Sequence, residues 1–245
     1  MLTHRHPGLG WRTRFVFAAI AGAMLALMHG CTPRRAEPPA RPVEPAAPGF
    51  AIPQGARAFD VDPARSEVII LVRRAGPLAK LGHNHVITSG EESGLLWRGR
   101  DPAGSGFELR IPVRSLVVDD PATRAAAGPE FAGEVPQTAR EGTYQNMLRP
   151  EVLDATTYPE IVVHANSLAG SWSQPVAKAE ATLKGVTRTI VIPVHLEESG
   201  STLKARGAFS ILQTDFGLTP FSVAGGAIQV ADGVDIRFEI VATAR

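Results

Sequence analysis

Apolar residues recur at every second position near the end of this chain: Val234, Ile236, Phe238, Ile240 and Ala242 share one parity, and Asp235, Arg237 and Glu239 share the other. Successive side chains of a strand point to opposite faces, so this alternation predicts a strand over 233–243 with one apolar and one wet face. A slip of one residue would exchange the two faces completely, which makes the register a strong constraint. Phe107, Leu109, Ile111 and Val113 repeat the pattern against Glu108, Arg110 and Arg114. In 187–197 the apolar parity is Ile190, Ile192, Val194 and Leu196, and Pro193, which cannot donate to a ladder, predicts an edge, a bulge or a register break. Further strands are expected at 67–73, at 85–96 in one or two pieces, and at 161–168, 176–183 and 202–211, for about eight in all.

Turn chemistry separates these runs. Asp62-Pro63, Arg100-Asp101-Pro102-Ala103-Gly104, Lys184-Gly185, Glu198-Ser199-Gly200-Ser201 and Ala231-Asp232-Gly233 supply fixed or positive φ where a chain reverses. Many short strands with such turns predict an all-β barrel or sandwich. One stretch, 129–159, breaks the period and is punctuated by Pro136, Pro150 and Pro159. Within it 138–148 is expected to be a short helix, with Thr138 as N-cap and Glu141 three residues on, in a connection over one end of the barrel.

The first 30 residues have a different character. Arg5, Arg12 and Arg14 precede an uncharged apolar run from Phe15 to Met28, the length of a secretory core and too short to span a bilayer, which takes about 20 apolar residues. The run ends at Leu27-Met28-His29-Gly30-Cys31, which resembles a lipoprotein cleavage box, so residues 1–30 are expected to be a signal peptide and Cys31 a lipidation site. Thr32 follows it, and a residue other than Asp there suggests anchoring to the outer membrane of a periplasmic lipoprotein. Residues 31–57 carry a Pro-rich tether, and 58–245 form one barrel domain. Cys31 is the chain's single cysteine, so no intramolecular disulfide is available. Without residues 1–30 the basic residues fall from 25 to 22 against 24 acidic ones, a net charge of −2 that gives no electrostatic case for nucleic-acid binding.

Four segments resemble the YceI-like family. Phe59-Asp60-Val61-Asp62-Pro63-Ala64-Arg65-Ser66-Glu67-Val68 is similar to its opening strand, and Val152-Leu153-Asp154-Ala155-Thr156-Thr157-Tyr158-Pro159-Glu160-Ile161 to its Tyr/Phe-Pro-x-Ile element. Ala181-Thr182-Leu183-Lys184-Gly185-Val186-Thr187-Arg188-Thr189 resembles its Gly-Val-Thr-Lys/Arg turn, and Phe209-Ser210-Ile211-Leu212-Gln213-Thr214-Asp215-Phe216-Gly217-Leu218 its Asp-Phe-Gly-Leu segment. Four segments in that order are specific where any one is not. The resemblance implies an extended eight-stranded antiparallel lipocalin-like barrel with a polyisoprenoid-type chain in its lumen. An isoprenoid quinone or a related lipid suits the same lumen. An eight-stranded barrel has room for side chains or for one slim ligand.

For such a ligand the candidate contacts are His83, His85, Phe209, Phe216, Ile236 and Phe238, with Trp97, Trp172 and Phe221 as further aromatic candidates. His83 and His85 are one residue apart and so face one way on a strand, within reach of a shared head group or, in an alternative reading as a metal-binding or redox-associated protein, of a metal with His164, Glu91 or Glu141 as third ligand. A barrel with a filled lumen and a purely structural or interaction role is a further alternative. His164 and His195 stand alone in strand patterns and are expected to be ordinary surface or satisfied residues. No G-x-S-x-G elbow, P-loop or dinucleotide fingerprint occurs, and no enzyme activity is expected.

Overall fold

A computed structural model of the protein describes residues 51–245. The expected signal segment, Cys31 and most of the tether lie outside the described residues.

Eight long strands make the wall, several of them bent into two ladders. The first is β1 (Arg57–Val61) and β2 (Glu67–Ala75). Between them a single turn over Pro63–Arg65 is capped by Asp62, whose carboxylate accepts from the Ala64 N–H. The second is β3 (His85–Ser89) and β4 (Ser93–Arg98), the third β5 (Gly106–Pro112), followed by the two-residue β6 (Val117–Val118). Two helices follow, α1 (Pro121–Ala127) and α2 (Gln137–Met147). The fourth strand is β7 (Glu160–Ala165) with β8 (Leu168–Ser171), and the fifth is β9 (Gln174–Leu183). The sixth is β10 (Val186–Pro193) with β11 (His195–Ser199), and the seventh is β12 (Thr202–Leu212). After the short β13 (Ser222–Val223), β14 (Ile228–Ala244) is the eighth.

Every pairing is antiparallel, and the order is up-and-down. β14 runs between β12 on one side and both β1 and β2 on the other, which joins the last long strand to the first. The ladder is interrupted at one place. Residues 186–199 pair with β9 through β10 and with β12 through β11, and among the described residues no backbone hydrogen bond joins β10 directly to β12. The interruption lies at the proline that predicted it: β10 ends at Pro193, and the next N–H, on Val194, turns to the Pro175 carbonyl. Gly207 belongs to this junction. A Cβ there would lie 2.4 Å from the Pro193 carbonyl oxygen and 2.6 Å from Cζ of Phe238, so only glycine lets the two strands approach.

The Lys184-Gly185 turn behaves as expected, with φ of 48° and 73° in a two-residue hairpin between β9 and β10. Two local expectations are corrected. Ala231-Asp232-Gly233 is a bulge inside β14, where the pairing with β2 shifts register between Val230 and Val234, and Asp232 accepts from the N–H and hydroxyl of Thr214. The expected N-cap of α2, Thr138, lies inside the helix. Pro136 occupies the cap with no side-chain hydrogen bond, because its fixed φ of −56° already sets the entry angle, and Glu141 accepts from the side chain of Gln137 instead.

The inward parity buries Phe59, Val68, Leu96, Leu109, Ile111, Ile161, Leu203, Ile240 and Ala242 in one continuous core. Leu153, Ala155, Phe216 and Leu218 from the connections close one end of it. The bend between β3 and β4 buries Ser89 and Glu92, whose side-chain oxygens have no hydrogen-bond partner among the described residues. Such desolvation costs on the order of 1–3 kcal/mol for each group, so this bend weakens the wall locally.

Candidate functional site

The lumen is a cavity of about 220 Å³, on a scale where one water needs about 10–15 Å³. That is too much space for a filled core and enough for a slim chain. Its wall is built in rows by strand register. Phe209 stands opposite Ile236, Ile236 opposite Ile70, and Ile70 opposite Ile87, so one row of four lining side chains crosses four neighbouring strands. The next row sets Gly207 beside Phe238 and Phe238 beside Val68, and the missing side chain of Gly207 makes room for the Phe238 ring. Phe209 meets that ring edge to face, with centroids 6.4 Å apart.

Phe209, Phe216, Ile236 and Phe238 all line the lumen, as do Trp97 and Trp172, whereas Phe221 lies outside its wall. Met147, Val152, Leu153, Phe216 and Leu218 form the wall at the end covered by α2 and the connections. This cover is held by main-chain bonds from the Leu153 N–H to the Met147 carbonyl and from the Thr219 N–H to the Glu151 carbonyl. At the opposite end the wall includes Trp97, Arg98 and Trp172. The Arg98 guanidinium stacks 4.3 Å above the Trp172 ring, and the indole N–H of Trp172 donates to the Arg100 carbonyl. Sequence reasoning missed Arg98, because only the β8–β9 hairpin tip brings Trp172 to it.

His83 and His85 are outside the lumen wall. Their rings lie 6.3 Å apart, but His85 has a different partner: its Nδ1 is 2.7 Å from Asp119, which also accepts from the Val86 N–H and from Arg124. Asp119 is fully buried and Arg124 nearly so, and Arg124 donates further to the carbonyls of Asn84 and Gly133. His85 thus belongs to a clasp that ties β3 to α1. Among the described residues no group of three or more His, Cys, Asp or Glu side chains is placed to hold a metal ion. His164 and His195 form partly exposed pairs with Glu180 and Glu197. The sequence signal for α1, an Asp-Pro step before an Ala-rich run, was present: Asp120 accepts from the N–H groups of Ala122 and Thr123.

Comparison with known proteins agrees with this architecture. BcnA from Burkholderia cenocepacia has a similar structure, with a TM-score of 0.54 and 20% identity over 75% of this chain and 99% of that one. A polyisoprenoid binding domain from Saccharophagus degradans gives 0.49 and 15% identity over 77% and 99%. The YCEI protein of Campylobacter jejuni gives 0.45 and 12% over 65% and 84%. A search of curated protein sequences gives no match. The model of the YceI-like domain matches residues 59–242, from the buried Phe59 of the first strand to the buried Ala242 of the last. With the barrel and its lumen in place over that whole span, this chain belongs to the YceI-like family.

Proposed function

We propose that the protein binds one long apolar chain, a polyisoprenoid, an isoprenoid quinone or a related lipid, inside the barrel. The observation that carries this reading is the open lumen, whose wall is apolar from Leu153 and Phe216 at one end to Trp97 and Trp172 at the other. Each methylene moved from water into it gains about 0.8 kcal/mol, so a few isoprene units are held by burial alone. A site of this kind binds and needs no catalytic group.

Filling the lumen tests the reading. Ala205 lines it opposite Ile240, and Ala205→Phe places a ring in the space a chain would occupy. Titration with geranylgeraniol, followed by the fluorescence of Trp97 and Trp172, is expected to show saturable binding by the wild type. Binding by the variant should be at least about tenfold weaker, a loss of about 1.4 kcal/mol, with its melting cooperative. Equal binding by both proteins would place the ligand elsewhere.

The same proposal locates the protein in the periplasm, tied by lipidated Cys31 to the outer membrane, where an anchored barrel samples lipid without diffusing away. Mass spectrometry of the mature N-terminal peptide should find it beginning at Cys31 with the added mass of a diacylglyceryl group. Recovery of only unmodified, soluble protein would remove the anchor.

A further inference from the structure

A ligand with an apolar chain still has a polar end, and the lumen wall limits where that end can go. Apart from the indoles, three lining side chains carry hydrogen-bonding groups: Ser105, Gln213 and Arg98. Ser105 is consumed, since its hydroxyl donates to the Asp101 carbonyl and accepts from the Gly99 N–H. Gln213 donates its amide N–H to the Ala231 carbonyl and is neutral. Arg98 is different. Its guanidinium carries five N–H donors and gives one hydrogen bond among the described residues, to Glu198 at 2.7 Å. A guanidinium accepts nothing, so the group it receives must offer acceptor oxygens.

The charge around Arg98 goes further. Arg57 stands opposite Arg98 in the β1–β4 register and donates to the other oxygen of the same carboxylate, so two guanidiniums share Glu198. Arg100 follows two residues later and makes no ion pair among the described residues, and Asp101 is the nearest further carboxylate in the chain. Arg57 and Arg98 thus share a single carboxylate and Arg100 forms no ion pair among the described residues, so positive charge beside Arg98 exceeds the negative charge paired with it. The side chain of Arg98 is 37% exposed, so an anion meeting it keeps part of its hydration and avoids the cost of full burial. Trp172, stacked on Arg98, supplies a flat apolar surface where the chain leaves the lumen.

We propose that the Arg98 mouth is a subsite for an anionic oxygen head group, so that the preferred ligand is an apolar chain ending in a phosphate or carboxylate rather than in a neutral group. This rests on the lumen reading above and narrows it: a neutral quinone or alcohol would gain nothing from the uncompensated charge. Arg57 holds Glu198 when the head group draws Arg98 toward itself, and bidentate acceptance by a phosphate or carboxylate matches the guanidinium fork.

The test compares C20 chains with different ends, two of them on the same prenyl chain. Geranylgeranyl monophosphate, a straight-chain C20 fatty acid and geranylgeraniol are titrated into the wild type, Arg98→Gln and Arg98→Lys. Either anion is expected to bind the wild type at least about tenfold tighter than the alcohol, with the margin shrinking between low and high salt. Tighter binding of the phosphate would name a prenyl phosphate, and of the carboxylate a fatty acid. Arg98→Gln should abolish the margin, and Arg98→Lys should keep part of it. The salt dependence of the wild type decides the matter even if a variant folds poorly. Equal binding of anion and alcohol, or a margin unchanged by Arg98→Gln, overturns the head-group subsite and leaves the lumen standing. Failure of all three chains to bind overturns the lumen reading and the subsite together.

Discussion

Ile236→Asp is expected to lower the stability of the barrel by several kcal/mol, a large part of the total for a domain of this size. Ile236 sits between Phe209 and Ile70 in a row of lumen-facing side chains, and the introduced carboxylate would find neither a donor nor bulk water there. Since 1 kcal/mol moves the midpoint by about 2–4 °C for 150–250 residues, the melt should shift by roughly 10 °C. The neighbouring change should be mild. Asp235 is on the outer face, where it accepts from Ser210 and Arg73, and these bonds hold its carboxyl below the usual range. It is partly exposed to solvent, so Asp235→Asn should cost no more than about 1 kcal/mol. Thermal melts of both variants read the inside and outside of β14 together. Equal tolerance of the two changes would mean that the lumen face has been assigned to the wrong parity.

A comparable loss is expected from Asp119→Ala, about 3–5 kcal/mol, because it leaves Arg124 buried without its carboxylate and releases His85 and the Val86 N–H. The pH dependence follows from the same contacts. Burial alone would raise the Asp119 carboxyl, but the hydrogen bonds from His85 and Val86 and the charge of Arg124 outweigh it and hold the group below the ordinary aspartate value. A carboxyl depressed in the folded state contributes fully above the unfolded value of about 4 and loses its contribution as pH falls through the lower folded value. Urea melts at neutral pH and on acidification below about pH 4 should therefore show a steep loss for the wild type and a shallower one for Asp119→Asn. Parallel losses in the two proteins would assign acid sensitivity to other groups, such as Asp60, Asp120 and Asp235, which are shifted in the same direction.

The barrel was legible because its information is local. Alternation of two along β12 and β14 sorts Phe209, Ile236 and Phe238 to the lumen before any pairing is known, and Pro193 marks the break in the sixth strand by its missing donor. The bulge at Ala231-Asp232-Gly233 has turn residues and strand pairing at once, so composition alone favoured the wrong reading. The site was only half legible. His83 and His85 drew notice through their spacing, yet the partner that determines the role of His85 is Asp119, which arrives from beyond β6 through tertiary packing. Arg98 is unremarkable in sequence, and its contact with Trp172 exists only because a hairpin tip folds across the mouth of the lumen.

A lumen that holds a long apolar chain should yield that chain on extraction. The measurement is mass spectrometry of an organic extract, taken from gently purified wild type and from Ala205→Phe prepared in parallel. A chain-like lipid is expected at near one equivalent in the wild-type extract, and it should be lost from the variant. Extracts that are empty for both proteins, or that carry the same lipid in the same amount, would contradict binding in the lumen.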